Sequence, residues 1–565
     1  MKDEDIDTVT EDLNNVTTLE EAKSINSDDA LLMSMGKKPE LRRVYNFWTL
    51  CAYQIMISCS WSCLVVLYST IFDVGGPFAL VWGTLFVAVG QTLLMMSLAE
   101  YCTIWPTAGG QQYYVQAVAT GKFRPILSYL VGWAVIVGEV STGSSCAVNS
   151  AAIIASFVEV THPEFVWHPW MTWIIYTAFL IGPIVMNLKQ SWLPGMNLFG
   201  AVWTIAGGIA WAIVFGVMAE PKHDAKFIFT KFINNSGYTS NGWVFIMSFY
   251  SPMYGLYGTD GMMHLVEEMR NASKEAPRVM VWSMIFCSVT SWLGAILLLW
   301  TAGNWEEYML ASQPYMNWWM DICNSVYGGG IFCALIMIGL NFFIIVGTNN
   351  AGSRLAWSMA RDKAFPYSDY FAHVSTRFHI PLRAMIAILV VDLVIGLIVL
   401  GSDLAFESII SGGGVTLQIG YVTPVIVVHS SPLVPSPSNS PQVLLRGRSI
   451  LPEHPNFDLG KWGYPINIIS VCWSLIIITM YLCPLYVPVT IATIDYMNWS
   501  CLIVGATLLF PGIYWVWRAR FRYIKEGNSV LEDNVVWIDG VPVGGSDALR
   551  ARAREEEIRE VREVK

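Results

Sequence analysis

Two carboxylates stand where a bilayer-spanning chain should have none. Asp260 lies in FIMSFYSPMYGLYGTDGMMHLVEE and Glu139 in WAVIVGEVSTG, both within runs otherwise apolar enough to cross a membrane. An acid at mid-membrane costs at least about 2.5 kcal/mol on insertion scales and is by default functional. Glu139 reads either as the proton acceptor of a proton-coupled transporter or as a neutral residue hydrogen-bonded to neighbouring helices. Asp260 reads either as part of a ligand site or as a cap accepting from the N–H groups of a following half-helix. A third acid, Asp392, lies in another apolar run. The run around Asp260 also carries Pro252, Gly255, Gly258 and Gly261. So interrupted a helix must turn its freed backbone groups toward protein or a water-filled cavity, because lipid offers no partner. Unwound helices near the midplane are how secondary transporters build substrate sites. No nucleophile–base pair and no HExxH run appears, which argues against an intramembrane enzyme.

The elements that must hold these groups follow from composition. Of 565 residues, 54% are hydrophobic and only 13% charged, about half the charged share of a soluble domain. Runs of about 20 apolar residues predict 12 transmembrane helices in an all-α membrane protein. With both termini in the cytoplasm, 22 Lys and Arg near the spans fall inside, from Lys37 to Lys525, and only Lys222, Lys226 and Lys231 fall outside. That asymmetry orients the chain by the positive-inside rule. The net charge of −10 resides largely in the two tails, read as solvated, flexible ends. The first 45 residues lack the features of a signal peptide. The 11 cysteines show no metal-ligand spacing and read as small apolar residues. Asn234 is the sequon expected to be modified, if any is.

Three further runs carry a resemblance. The loop after span two, Ala99-Glu100-Tyr101 through Trp105-Pro106-Thr107-Ala108-Gly109-Gly110-Gln111-Gln112-Tyr113-Tyr114, is one. His264-Leu265-Val266-Glu267-Glu268 with Asn271-Ala272-Ser273 and Ala276-Pro277-Arg278 is another, and Leu444-Leu445-Arg446-Gly447-Arg448 with Phe457 to Gly463 is the third. Over residues 40 to 525 the chain resembles the fungal amino acid, GABA and choline permeases of the amino acid, polyamine and organocation superfamily. The resemblance implies a 5+5 inverted repeat plus two C-terminal helices, with substrate held between broken helices one and six. It also implies a peripheral, structural place for Asp392. The expected organisation is a cytoplasmic tail at 1–46, helices one to five at 47–219, an external loop at 220–242, helices six to ten at 243–465, helices eleven and twelve at 466–518 and a second cytoplasmic tail at 519–565.

The substrate site is then expected at Ser58, Cys59, Ser60 and Trp61 of span one and at Tyr254, Tyr257, Gly258, Thr259 and Asp260 of span six. Trp133 is also expected near it, and Glu139 is the expected proton-coupling residue. Two positions depart from the GABA-type pattern: Cys59 stands where an Asn is usual and Thr259 where an aromatic is usual. The expected function is import of an amino acid or small amine across the plasma membrane, coupled to protons, with no cofactor, metal or nucleic acid. Choline import is the alternative, and a non-transporting nutrient sensor is the alternative of another class.

A Pro/Ser-rich stretch, 427–442, interrupts span ten, and its removal would join an apolar run to Leu444-Leu445-Arg446. Val codons begin GT and one Gln codon is CAG, so Val427 to Gln442 has the boundaries of a retained intron. Sequenced transcripts should lack those 16 codons; if every mature transcript carries them, the stretch is a genuine loop. For the topology, a tag at Tyr238 should be reached from outside intact cells, and a cytoplasmic signal there would overturn the orientation.

Overall fold

The computed structural model describes residues 27–58, 60–119, 123–311, 313–430, 451, 456–523, 536–538 and 541–543. The chain divides into two units, Leu41–Gly527 and a terminal unit of Met1–Glu40 with Asn528–Lys565. In the terminal unit, helix α1 (Ser27–Ser34) is accompanied by antiparallel strands Val536–Ile538 and Val541–Val543. The strand residues are valine-rich and flank an Asp-Gly pair, a strong local hairpin signal.

The main unit is helical. Among the described residues, 11 helices are long and apolar enough to cross a membrane. The segment expected to be the sixth span is in short pieces, none of them long enough to cross, and so is absent from that set. Span one comprises α2 (Phe47–Ser58) and α3 (Ser60–Val66), continued by α4 (Tyr68–Asp73). Next come α5 (Gly76–Ile104), the short α6 (Gln111–Val118), α7 (Arg124–Thr161), α8 (Pro169–Asn187) and α9 (Leu193–Met218). The broken span consists of α10 (Asn241–Met247), α11 (Tyr250–Tyr254), an irregular stretch and the 3-10 helix Gly261–Glu268. It is followed by α12 (Ala272–Trp300), α13 (Val326–Arg361), α14 (Leu382–Gly396), α15 (Asp403–Ser430), α16 (Gly463–Leu482) and α17 (Ser500–Tyr514). Of the suspected insertion, Val427 to Ser430 continue α15, and 431–442 lie outside the described residues.

Spans one and six pack half against half: α3 lies against α11, and α2 against the 3-10 helix. Small residues permit this closeness, as is usual where lipid supplies no drive for helix association. A Cβ on Gly255 would stand 2.7 Å from the Ser60 carbonyl oxygen, and one on Gly261 would stand 3.0 Å from the Tyr53 hydroxyl. The Gly412-Gly413-Gly414 run serves the same end, since Cβ atoms there would meet Ile503 at 2.6 Å, Ser141 at 2.2 Å and Tyr257 at 3.0 Å. Asp392 is buried and accepts from Ser144 Oγ at 2.9 Å, which agrees with a structural reading.

Candidate functional site

The break in span six lies between Tyr254 and Gly261, where Gly258 takes φ +72°, a value that glycine adopts without strain. Its freed groups find partners inside the protein. Gln54 Nε2 donates to Gly258 O at 3.0 Å, Met263 N to Asp260 O at 2.7 Å and Leu256 N to Met253 O at 3.0 Å. Asp260 does not cap the following helix with its side chain. Its carboxylate instead accepts from Gln111 Nε2 at 2.8 Å and Tyr421 OH at 2.5 Å. The capping reading of Asp260 is therefore corrected: the side chain turns across to α6 and α15.

Beside it stand two groups from other segments. Carboxylate oxygens of Asp260 and Glu139 and a ring nitrogen of His264 lie within 4.8 Å of one another, all three buried. His264 Nδ1 is 2.9 Å from Ala108 O, an acceptor only, so this nitrogen carries a hydrogen. Nε2 then faces Asp260 Oδ2 at 3.5 Å, and among the described residues Glu139 has no hydrogen-bond partner at either oxygen. Two carboxylates and a basic nitrogen this close, out of water, form a set suited to taking up a proton or another cation, because unpaired buried charge is costly. The same donor set could ligate a metal ion.

One to two helical turns away along α7 and α15 is a cavity of ≈ 50 Å³ whose walls include Ser58, Ser141, Ser145, Tyr254, Tyr257 and Tyr481. Tyr250 and Tyr257 both lie against the Tyr481 ring, with centroids 5.1 and 5.8 Å away. Tyr254 OH bonds Ser145 Oγ. Tyr250 and Tyr254 also form the floor of a wider vestibule of ≈ 740 Å³ that reaches Thr70, Trp167, Glu407 and Trp499.

On the side toward which the basic clusters lie, the structure is closed. Tyr45 N donates to Glu268 O at 3.0 Å and Arg270 N to Tyr45 O at 3.2 Å, which ties the entry of span one to the exit of span six. Arg354 Nε meets Glu268 Oε1 at 2.8 Å with both side chains fully buried, and Gln190 Nε2 donates to Glu268 Oε2 at 2.7 Å. Arg361 Nη2 meets Glu267 Oε1 at 2.6 Å, and this carboxylate also accepts from Thr107 Oγ1 and Ala108 N at 2.9 Å each.

The expected site residues are thus only partly brought together. Ser58, Tyr254 and Tyr257 line the cavity, while Asp260 and Glu139 lie in the neighbouring polar cluster. Gly258 supplies the turn, and Thr259 is buried with its hydroxyl unpartnered. Cys59 lies outside the described residues. Ser60 and Trp61 do not face the cavity. Ser60 Oγ bonds Thr290 Oγ1 at 2.9 Å. Trp61 stacks on Trp211 at 5.2 Å and donates to Thr204 O at 3.3 Å. Trp133 packs edge-on to Tyr129 and Phe365, apart from the cavity. Reading the sequence missed Tyr481, Tyr421, Gln111, His264 and the α7 serines. Gln111 and His264 lay inside the motif runs, whereas Tyr481 and Tyr421 had no local signal.

A family model described as amino acid permease matches residues 45–507. A choline transporter of Saccharomyces cerevisiae is 24% identical over 90% of this chain and 88% of its own. The amino-acid permease BAT1 of Arabidopsis thaliana is 25% identical over 90% of this chain and 98% of its own. A crystal structure of the Eremococcus coleocola manganese transporter is 12% identical, covers 86% of this chain and 94% of its own, and superposes with a TM-score of 0.49.

The two kinds of buried charge should respond differently to mutation. Glu139→Gln removes an unpartnered carboxyl and should leave the melting temperature in detergent unchanged or higher. Arg354→Met strands Glu268 without its counter-ion and should cost about 3–5 kcal/mol. A stability loss in Glu139→Gln matching that of Arg354→Met would show that Glu139 has structural partners after all.

Proposed function

The chain belongs to the amino acid permease family, a multi-pass membrane transporter and not an enzyme, and from that premise we propose that it imports amino acids or related small amines across the plasma membrane, driven by the proton gradient. The observation that carries the coupling is the buried group of Glu139, Asp260 and His264, which is suited to taking up a proton or another cation and adjoins the cavity at the helix break. With both termini cytoplasmic, the vestibule opens outward and the Glu268–Arg354 side is the closed cytoplasmic one. Substrate enters past Tyr250 and Tyr254. Its carboxylate is held by N–H groups at the broken helices and its ammonium by carbonyls and tyrosine faces. Protonation from outside neutralises the cluster, and release toward the cytoplasm requires the Tyr45–Arg270 pairing and the two Glu–Arg pairs to part. Ser58, Tyr254, Tyr257, Gly258, Thr259 and Asp260 form the substrate region in this reading. Trp61 is not part of it.

A second reading has its own observation. Tyr250, Tyr254, Tyr257 and Tyr481 converge on one small cavity, and aromatic faces hold a quaternary ammonium by up to ~2 kcal/mol when desolvated. Choline would suit such a site without any carboxylate contact.

Uptake of labelled GABA, neutral and basic amino acids and choline in permease-deficient yeast decides between these readings. Import should rise as the medium is acidified and collapse with a protonophore. Asp260→Asn should nearly abolish it while surface abundance holds, and normal uptake by that variant would remove Asp260 from the mechanism. If choline is carried, Tyr257→Leu should weaken it roughly tenfold, which corresponds to ~1.4 kcal/mol, and Trp61→Leu should not. GABA itself should be a poor substrate, given Cys59 and Thr259. A properly localised protein that moves no solute would favour the sensor.

A further inference from the structure

Helix α6 begins with two glutamines whose side chains leave in different directions, as neighbours on a helix must. Gln111 grips Asp260. Gln112 turns the other way into a second buried polar knot, where its Nε2 lies 2.6 Å from Tyr523 OH, 3.1 Å from Asp362 Oδ2, 3.2 Å from Gln116 Oε1 and 3.3 Å from Ser128 Oγ. Tyr523 OH also meets Ser128 Oγ at 2.7 Å, and Ser128 Oγ donates back to Gln112 O at 3.0 Å. Gln112, Ser128, Asp362 and Tyr523 are each no more than 1% exposed. Tyr523 follows the last transmembrane helix, and its ring packs at 5.5 Å from Tyr129 and 5.9 Å from Trp515. The segment leaving α17 is therefore fastened to the short helix that orders the acid in the break.

We propose that Tyr523 is a positioning residue for the coupling site: its hydroxyl fixes the seat of α6, and α6 in turn holds Gln111 on Asp260. This rests on the transport reading for its kinetic consequence but not for its structural one. The pathway is short. From Tyr523 OH one hydrogen bond reaches Gln112, one peptide unit leads to Gln111, and one hydrogen bond reaches Asp260. A second branch supports the same seat, because Ala108, at the start of the loop that leads into α6, receives His264 at its carbonyl and donates to Glu267 through its N–H. The C-terminal segment thus meets the transport core at a point from which tension on the segment would be felt at the broken helix.

The test uses Tyr523→Phe, which keeps the ring against Tyr129 and Trp515 and removes only the hydroxyl. Hydrogen–deuterium exchange on the full-length protein in nanodiscs should show residues 111–118 and 258–264 exchanging about tenfold faster, with α15 and α16 unchanged. Unaltered exchange in those two segments would overturn the proposal whatever the substrate proves to be. In uptake assays with whichever solute the panel identifies, Tyr523→Phe should shift the pH at half-maximal rate. The shift should be absent when the same change is made in a Gln111→Ala background. Equal, additive effects in the two backgrounds would mean that Tyr523 serves the fold alone. Should the panel find no transported solute, the exchange measurement still decides the structural claim.

Discussion

The structure depends on one constraint: backbone N–H and C=O groups inside a bilayer must be satisfied by protein. Among the described residues, 11 spans meet it as helices, and the broken sixth meets it by leaning on span one. Gln54 of α2 crosses to the carbonyl of Gly258, and the turn around Gly258 to Gly261 closes on itself through short local bonds. An unwound segment so placed offers polar groups at mid-membrane without exposing them to lipid. The acids follow from the same geometry, since Asp260 stands where the chain is out of helical register and its side chain can reach α6 and α15 at once.

The two ends of the transport core are closed by different means. Toward the basic clusters the closure is polar and multiply tied, with backbone pairing at Tyr45 and buried Glu–Arg pairs at Glu267 and Glu268. Toward the vestibule the residues lining both it and the cavity are Ser145, Tyr250, Tyr254, Ile410 and Ser411, with Tyr254 OH bonded to Ser145 Oγ. A buried ion pair gains little net stability over an apolar pair, but removal of one partner is severe. Such pairs therefore suit a closure that is either fully made or fully released.

Much of this was legible in the sequence, for identifiable reasons. The helical class and the break in span six were readable because length, hydropathy and the Pro/Gly spacing act locally. The acids at 139 and 260 were readable because charge in an apolar run is conspicuous, although nothing local showed that His264 would join them. Trp61 was misplaced because a residue's distance along the chain from a break does not tell which way it faces; that depended on Gly207 and Gly208 in α9 and Gly294 in α12, far away in sequence. Tyr421 and Tyr481 were invisible for the same reason, as each is one aromatic among many until α15 and α16 are packed.

The seat of Trp61 has a mechanical consequence. A Cβ on Gly294 would stand 2.8 Å from that of Trp61, one on Gly208 would stand 3.1 Å from its indole nitrogen, and the ring lies flat on Trp211. The indole is a wedge driven into a notch, so α3 cannot pivot by itself without leaving a void about the size of the ring. It must carry α9 and α12 along or stay still.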